Sequence, residues 1–261
     1  MPVDLVLEPL TVFLSVVSGI VVGFSLGLVG GGGSVLAVPL LLYVVGVKDT
    51  HAAIGTSSLA IGIIAATSLV SHRKSGNLDI GKGVSFALPG VAGTLLGSQF
   101  GLWTSPKSLL VLFALFMVAI GIVMLRQRLG QDQDNRSSKL AILKKNLSLS
   151  GFSVGLLAGY FGIGGGFLIV PAMMYSGGLS IVQAIGTSLV SVSSFGIVTA
   201  TRYFVAGHVD IMITILFVIG GIFGSYIGIR VGRKIHKENL VRIFSVLLFG
   251  MSAYVLFKTV M

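Results

Sequence analysis

The chain is 261 residues long, with 18 basic and 8 acidic residues, 4 histidines and no cysteine. Its residues are 54% apolar and only 10% charged, against roughly 25% charged in a soluble domain. These figures exclude a soluble enzyme, a disulfide scaffold, a cysteine-based zinc site and any sizeable extramembrane receptor or catalytic domain.

The apolar residues come in long charge-free runs, including 9–47, 83–106 and 146–201. A spanning helix needs about 20 such residues, so the expected fold is an all-α polytopic membrane protein. In chain order the first half reads as segments 10–29, 34–46, 52–70, 82–101 and 108–126. The second reads as 148–162, 166–177, 181–202, 211–229 and 240–257. The second segment of each half is short and starts directly after a glycine cluster. At about 1.5 Å per residue it crosses only half of a hydrocarbon core about 30 Å thick. The N-terminus, MPVDLVLEPL, carries two acids and no basic stretch, so no cleaved signal peptide is expected there.

The two halves resemble each other. LGLVGGGGSVLAVP (26–39) matches AGYFGIGGGFLIVP (158–171), with seven identical Gly or Pro positions at an offset of 132 beginning at Gly19 and Gly151. At an offset of 131, AAIGTSSLA (52–60) matches QAIGTSLVS and GNLDIG (76–81) matches GHVDIM. This divides the chain into a first repeat over 1–126, a linker over 127–147 and a second repeat over 148–261.

The formal net charge of +10 records orientation rather than a nucleic-acid partner. Fourteen of the 18 basic residues fall in 71–82, 126–147 and 230–242, leaving Lys48, Lys107, Arg202 and Lys258 on the other side. The positive-inside rule makes those three stretches, and hence the linker, cytoplasmic. Repeat-related loops then lie on opposite faces, so the expected repeats are inverted, with both termini outside.

Inverted repeats with interrupted short helices are a transporter design. A helix start leaves backbone N–H groups unpaired and carries partial positive charge, which suits an anion without any basic side chain. Gly30, Gly31, Gly32, Gly33 and Ser34 form one candidate substrate site, and Gly162, Gly164, Gly165 and Gly166 form its partner. Unpaired backbone at membrane depth is tolerated only where it lines a cavity or is buried in protein. The glycines spaced by four, such as Gly19, Gly23 and Gly27, are instead a helix-packing signature.

The repeated IGTS adds Thr56, Ser57 and Ser58 in one half and Thr187 and Ser188 in the other, whose hydroxyls either donate to an anion or bond back to their own helices. Gln183 and His51 precede the two motifs and are further cavity candidates. Asp79 and Asp210 are expected N-caps, with proton coupling as the lesser alternative. Arg202 either snorkels to the outer surface or draws an anion toward the exit. His72 and His208 are minor candidates for gating, and Pro39 and Pro171 shape the short helices. No P-loop or HExxH motif occurs, and no acid lies inside a span, which argues against a carboxylate proton relay. No cofactor or metal is expected.

These motifs carry a family resemblance. The two Gly-rich clusters, each followed by a Pro, the duplicated AIGTS and the GNLDI/GHVDI pair are similar to the duplicated signature of the sulfite exporter TauE/SafE family. That resemblance covers nearly the whole chain outside the linker. It implies a bacterial inner-membrane transporter of small sulfur-containing anions such as sulfite or sulfoacetate. It also implies fewer full spans than ten segments, the short ones being half-helices.

The expected function is therefore export of sulfite or an organosulfonate by alternating access. A sulfur-anion importer or an anion channel is the alternative, and an intramembrane enzyme or partner subunit lacks a recognisable nucleophile or metal set. The partners expected are the anion, the lipid bilayer and, through glycine-faced helices, a second copy of the chain.

Overall fold

A computed structural model of the chain describes residues 8–73, 78–128, 146–164, 166–232, 249–255 and 257–258. The described residues are mostly helical, with no strand among them. Helix α1 (Pro9–Val29) opens with Pro at its first position, where a missing N–H costs nothing. Next are a tight 3-10 stretch over Gly30–Leu36, a helical turn α2 (Ala37–Leu40) and a wider π stretch over Leu41–Val45. Then come α3 (Thr50–Arg73), α4 (Ile80–Trp103) and α5 (Pro106–Arg128). The second half contains α6 (Leu147–Phe161), α7 (Gly166–Gly177), α8 (Ile181–Val205) and α9 (Ile211–Gly232).

Within α1, α3, α4, α8 and α9 lie stretches long and apolar enough to cross a membrane. The second segment of the first half starts at Gly30 rather than at the expected residue 34. The glycines accept the tighter 3-10 winding, and Gly33 sits so close to Ser25 and Leu26 of α1 that a Cβ has no room. Residues 129–145 of the expected linker and most of the tenth segment, 240–257, lie outside the described residues. The remainder of that segment, 249–255 and 257, is helical.

Local chemistry sets the boundaries. Asp79 accepts the backbone N–H of Lys82 at 3.0 Å and caps α4. Asp210 accepts that of Ile213 at 3.0 Å at the head of α9. Both therefore hold the N-cap role expected of them. Gly46 takes a left-handed φ of 88° and ends the first short segment, with Val47 N–H returning to the Leu41 carbonyl at 2.9 Å. Gly178 ends α7 with a φ of 61°, and Leu179 N–H returns to the Met173 carbonyl.

The long helices pair across the two halves. Helix α1 lies along α9, α4 along α6, and α3 along α8. Gly19, Gly23 and Gly27 of α1 meet the backbone of Phe217, Gly221 and Ser225 on α9. At repeat-related positions, Gly151, Gly155 and Gly159 of α6 meet Phe86, Gly90 and Thr94 on α4. Gly224 and Gly228 press on Ile20 and Phe24 as Gly93 and Gly97 press on Phe152 and Leu156. These glycines are therefore packing devices, as small residues at fourfold spacing permit. Hydroxyls add to the seams. Thr94 Oγ1 donates to the Gly155 carbonyl at 3.1 Å, and the Ser68 and Ser225 hydroxyls meet at 2.7 Å.

Candidate functional site

The site is built where the two glycine breaks meet the centrally paired helices α3 and α8. Helix α6 stops because Gly162 adopts a φ of 65°; Gly164 follows with 63°, and α7 starts at Gly166. In the first half Gly30 takes a φ of 71° at the end of α1. These positive φ values are open to glycine and strained for other residues, so the consecutive glycines mark true changes of chain direction.

Each break is closed by the other half. Gly30 packs against Ile185 of α8, and Gly162 packs against Ile54 of α3. Ile54 and Ile185 are the repeat-related isoleucines of the two AIGTS motifs. Ser58 Oγ donates to the Gly162 carbonyl at 2.8 Å, tying α3 to the second break. Gly164 lies between Ile61 of α3 and Val192 of α8, another repeat-related pair. The 3-10 stretch over Gly30–Leu36 also packs directly on α7. The two breaks and the two AIGTS motifs thus form one buried assembly. At the start of α7 the first N–H groups have no intrahelical acceptor, and the helix dipole adds partial positive charge.

The candidate residues divide by what they touch. Gly31 and Gly32 lie in the 3-10 stretch, Gly33 and Ser34 are buried within it, and Gly166 is buried at the head of α7. Gly165 lies outside the described residues. Thr56, Ser57, Thr187 and Ser188 are fully buried. Ser57 donates to the Ile54 carbonyl at 3.0 Å, and Ser188 donates to the Ile185 carbonyl at 2.7 Å. Both serines therefore bond back to their own helices. The threonine oxygens work across the halves: Thr56 Oγ1 accepts the N–H of Asp210 at 2.9 Å, and Thr187 Oγ1 accepts that of Asp79 at 3.1 Å.

Gln183 stands apart from the buried assembly. It is exposed, and with Ser180 it forms a capping box at the head of α8. Gln183 Oε1 accepts from the Ser180 N–H at 3.3 Å while Ser180 Oγ accepts from the Gln183 N–H at 3.4 Å. His51 is buried at the start of α3 with its Nε2 at 3.2 Å from the Gly101 carbonyl. His208 is held by Asp49, with Nδ1 and Oδ2 2.9 Å apart. Arg202 Nε is buried without a hydrogen-bond partner among the described residues. The His72 side chain lies outside what is described. Among the described residues no group of His, Asp and Glu is placed to hold a metal ion.

Two features of the site escape the sequence reading: the isoleucine seal on each break and the Ser58 bond to Gly162. The signal for the first is the isoleucine that precedes GTS in both motifs.

The family model described as sulfite exporter TauE/SafE matches residues 15–255. A Xylella fastidiosa (strain Temecula1) protein named "Probable membrane transporter protein" is 39% identical over 252 residues, covering 95% of this chain and 96% of that protein. The Bacillus subtilis "Probable membrane transporter protein YunE" is 26% identical over 93% of this chain and 96% of its own length. A probable membrane transporter protein of Methanocaldococcus jannaschii is 26% identical over 91% of this chain and 94% of its own. No solved structure matches the chain.

Proposed function

Because the chain belongs to the sulfite exporter TauE/SafE family of membrane transporters, and not to a family of enzymes, we propose that it exports sulfite or a small organosulfonate across a bacterial inner membrane. The anion passes between the two glycine breaks, held by backbone N–H groups at the helix starts and by the hydroxyls of Thr56 and Thr187 in the AIGTS motifs. The two repeats have inverted topology with both termini outside, and their relative rocking exposes the site to one side at a time. The observation that carries this reading is the exchange of seals: Ile54 on the Gly162 break and Ile185 on the Gly30 break. A paired movement of α3 and α8 opens both breaks together.

An inside-negative potential favours outward movement of an anion by about 2.3 kcal/mol per charge per 100 mV. Export therefore requires no coupling ion, in keeping with spans whose interiors carry no acid. The test is efflux from proteoliposomes loaded with sulfite, sulfoacetate, thiosulfate, sulfate or chloride. Potential-driven efflux selective for sulfite or sulfoacetate is the expected result. Concentrative uptake against the potential marks an importer, and unselective flux at channel rates marks a channel; either overturns the export reading.

A further inference from the structure

Away from the glycine breaks, a cavity of about 460 Å3 opens beside the end of the first short segment. Its wall brings together Lys48, Lys107 and Lys258, residues far apart in the chain, with Tyr43 and Thr50 among them. No acidic residue lines it among the described residues. The one acid nearby in sequence, Asp49, is occupied elsewhere. Its carboxylate takes the backbone N–H groups of His51 and Ala52 at 3.1 and 3.2 Å and the His208 ring at 2.9 Å.

Lys107 sits at the second position of α5, a helix with no acid in its first turn. A cation there opposes the positive end of the helix dipole, so this lysine adds to the local field instead of neutralising it. Lys258 reaches over the rings of Tyr43 and Tyr254, with Nζ 5.5 and 5.9 Å from their centroids. The two rings meet edge to face with centroids 5.1 Å apart. Cation–π contact of this kind holds an ammonium in place over an aromatic wall. Three lysines and no acid in one wall give the cavity a net positive charge that an anion offsets, and the volume is that of an ordinary small-ligand pocket.

We propose that this cavity is a binding site for an oxyanion of the phosphate or sulfonate type, distinct from the transport site. Its ligand comes either from solution or as the headgroup of an anionic phospholipid. Val44 and Phe257, chain neighbours of the lining residues Tyr43 and Lys258, and Tyr254, packed on the Tyr43 ring, expose apolar surface that suits acyl chains. The site stands independently of the export reading, since it rests on the lysines and not on the glycine breaks.

The test uses the full-length protein in detergent and a Lys48→Gln/Lys107→Gln/Lys258→Gln variant. All three lysines are exposed, so their replacement leaves the buried packing intact. One arm measures the rise in Tm with millimolar inorganic phosphate; the other counts retained phosphatidylglycerol against phosphatidylcholine by native mass spectrometry. The expected result is a response of the wild type in one arm that weakens about tenfold or more in the variant, as the loss of one or more charge-assisted contacts requires. A response to phosphate assigns the ligand to solution, and selective phosphatidylglycerol retention assigns it to the bilayer. Equal behaviour of wild type and variant in both arms, or equal retention of phosphatidylcholine, overturns the proposal.

Discussion

Asp210 donates its backbone N–H to the Thr56 hydroxyl at 2.9 Å, and Asp79 makes the repeat-related bond to Thr187 at 3.1 Å. Each aspartate then caps the helix that follows it. The threonine of one half thereby fixes the starting point of the fourth segment of the other half. A threonine oxygen that accepts this bond still has its own proton to donate, so latch and ligand roles are compatible in one hydroxyl. Thr56→Val keeps the shape and removes the acceptor. The Asp210 N–H is left part-buried and unpaired, at a cost of about 1–2 kcal/mol. A lowered Tm in detergent for Thr56→Val, restored by Thr56→Ser, is the expected pattern.

The glycine seams give a prediction of opposite signs. In Gly23→Ala the new methyl group meets the Gly221 carbonyl, and in Gly155→Ala it meets that of Gly90. Because backbone stands opposite, the helices must part, and overpacking of this kind costs about 1–3 kcal/mol. Gly250 is helical with open space at the Cβ position. Gly250→Ala gains up to about 1 kcal/mol from helix propensity. Thermal unfolding of the three variants should therefore lower Tm twice and hold or raise it once.

Asp49 joins two elements. It accepts two N–H groups at the head of α3 and the His208 ring from the connection between α8 and α9. Asp49→Ala removes the cap, worth about 0.5–2 kcal/mol, and frees His208. Amide hydrogen exchange should quicken at His51 and Ala52 and also across 206–210, far away in sequence. Faster exchange confined to α3 shows that the His208 contact carries no energy.

Much of this arrangement is legible in the sequence because it depends on local rules. The Gly19, Gly23 and Gly27 spacing follows one helix face, and Asp79 and Asp210 stand where an N-cap must stand. Consecutive glycines announce chain breaks for the same reason. What sequence leaves undetermined is the choice among partners. A serine in a helix either bonds back or reaches across; Ser57 and Ser188 bond back, while Ser58 reaches Gly162. Gln183 sits three residues after Ser180, the capping-box spacing, and that local bond uses its carboxamide. The three-lysine cavity draws on positions 48, 107 and 258, which no local pattern brings together.

The seal on the second break can be tested as an energetic coupling. Gly162 holds a φ of 65° and lies against the Ile54 side chain. Gly162→Ala therefore suffers twice: left-handed backbone costs an alanine about 1–2 kcal/mol, and the added methyl group collides with Ile54. Ile54→Ala alone loses about 2–5 kcal/mol of buried packing. In the Ile54→Ala background the collision with the Ile54 Cγ2 is gone and only the tight contacts with the residue 54 Cβ and Ser58 Oγ, at 3.1 and 3.2 Å, remain, so Gly162→Ala should cost little beyond the backbone term. A double-mutant cycle on Tm or denaturant midpoint then gives a coupling outside the roughly 0.5 kcal/mol scatter of independent sites. Its sign should show the double variant to be more stable than the sum of the single losses. Strict additivity means that Ile54 merely lies near the break and does not close it, and the paired movement of α3 and α8 loses its structural basis.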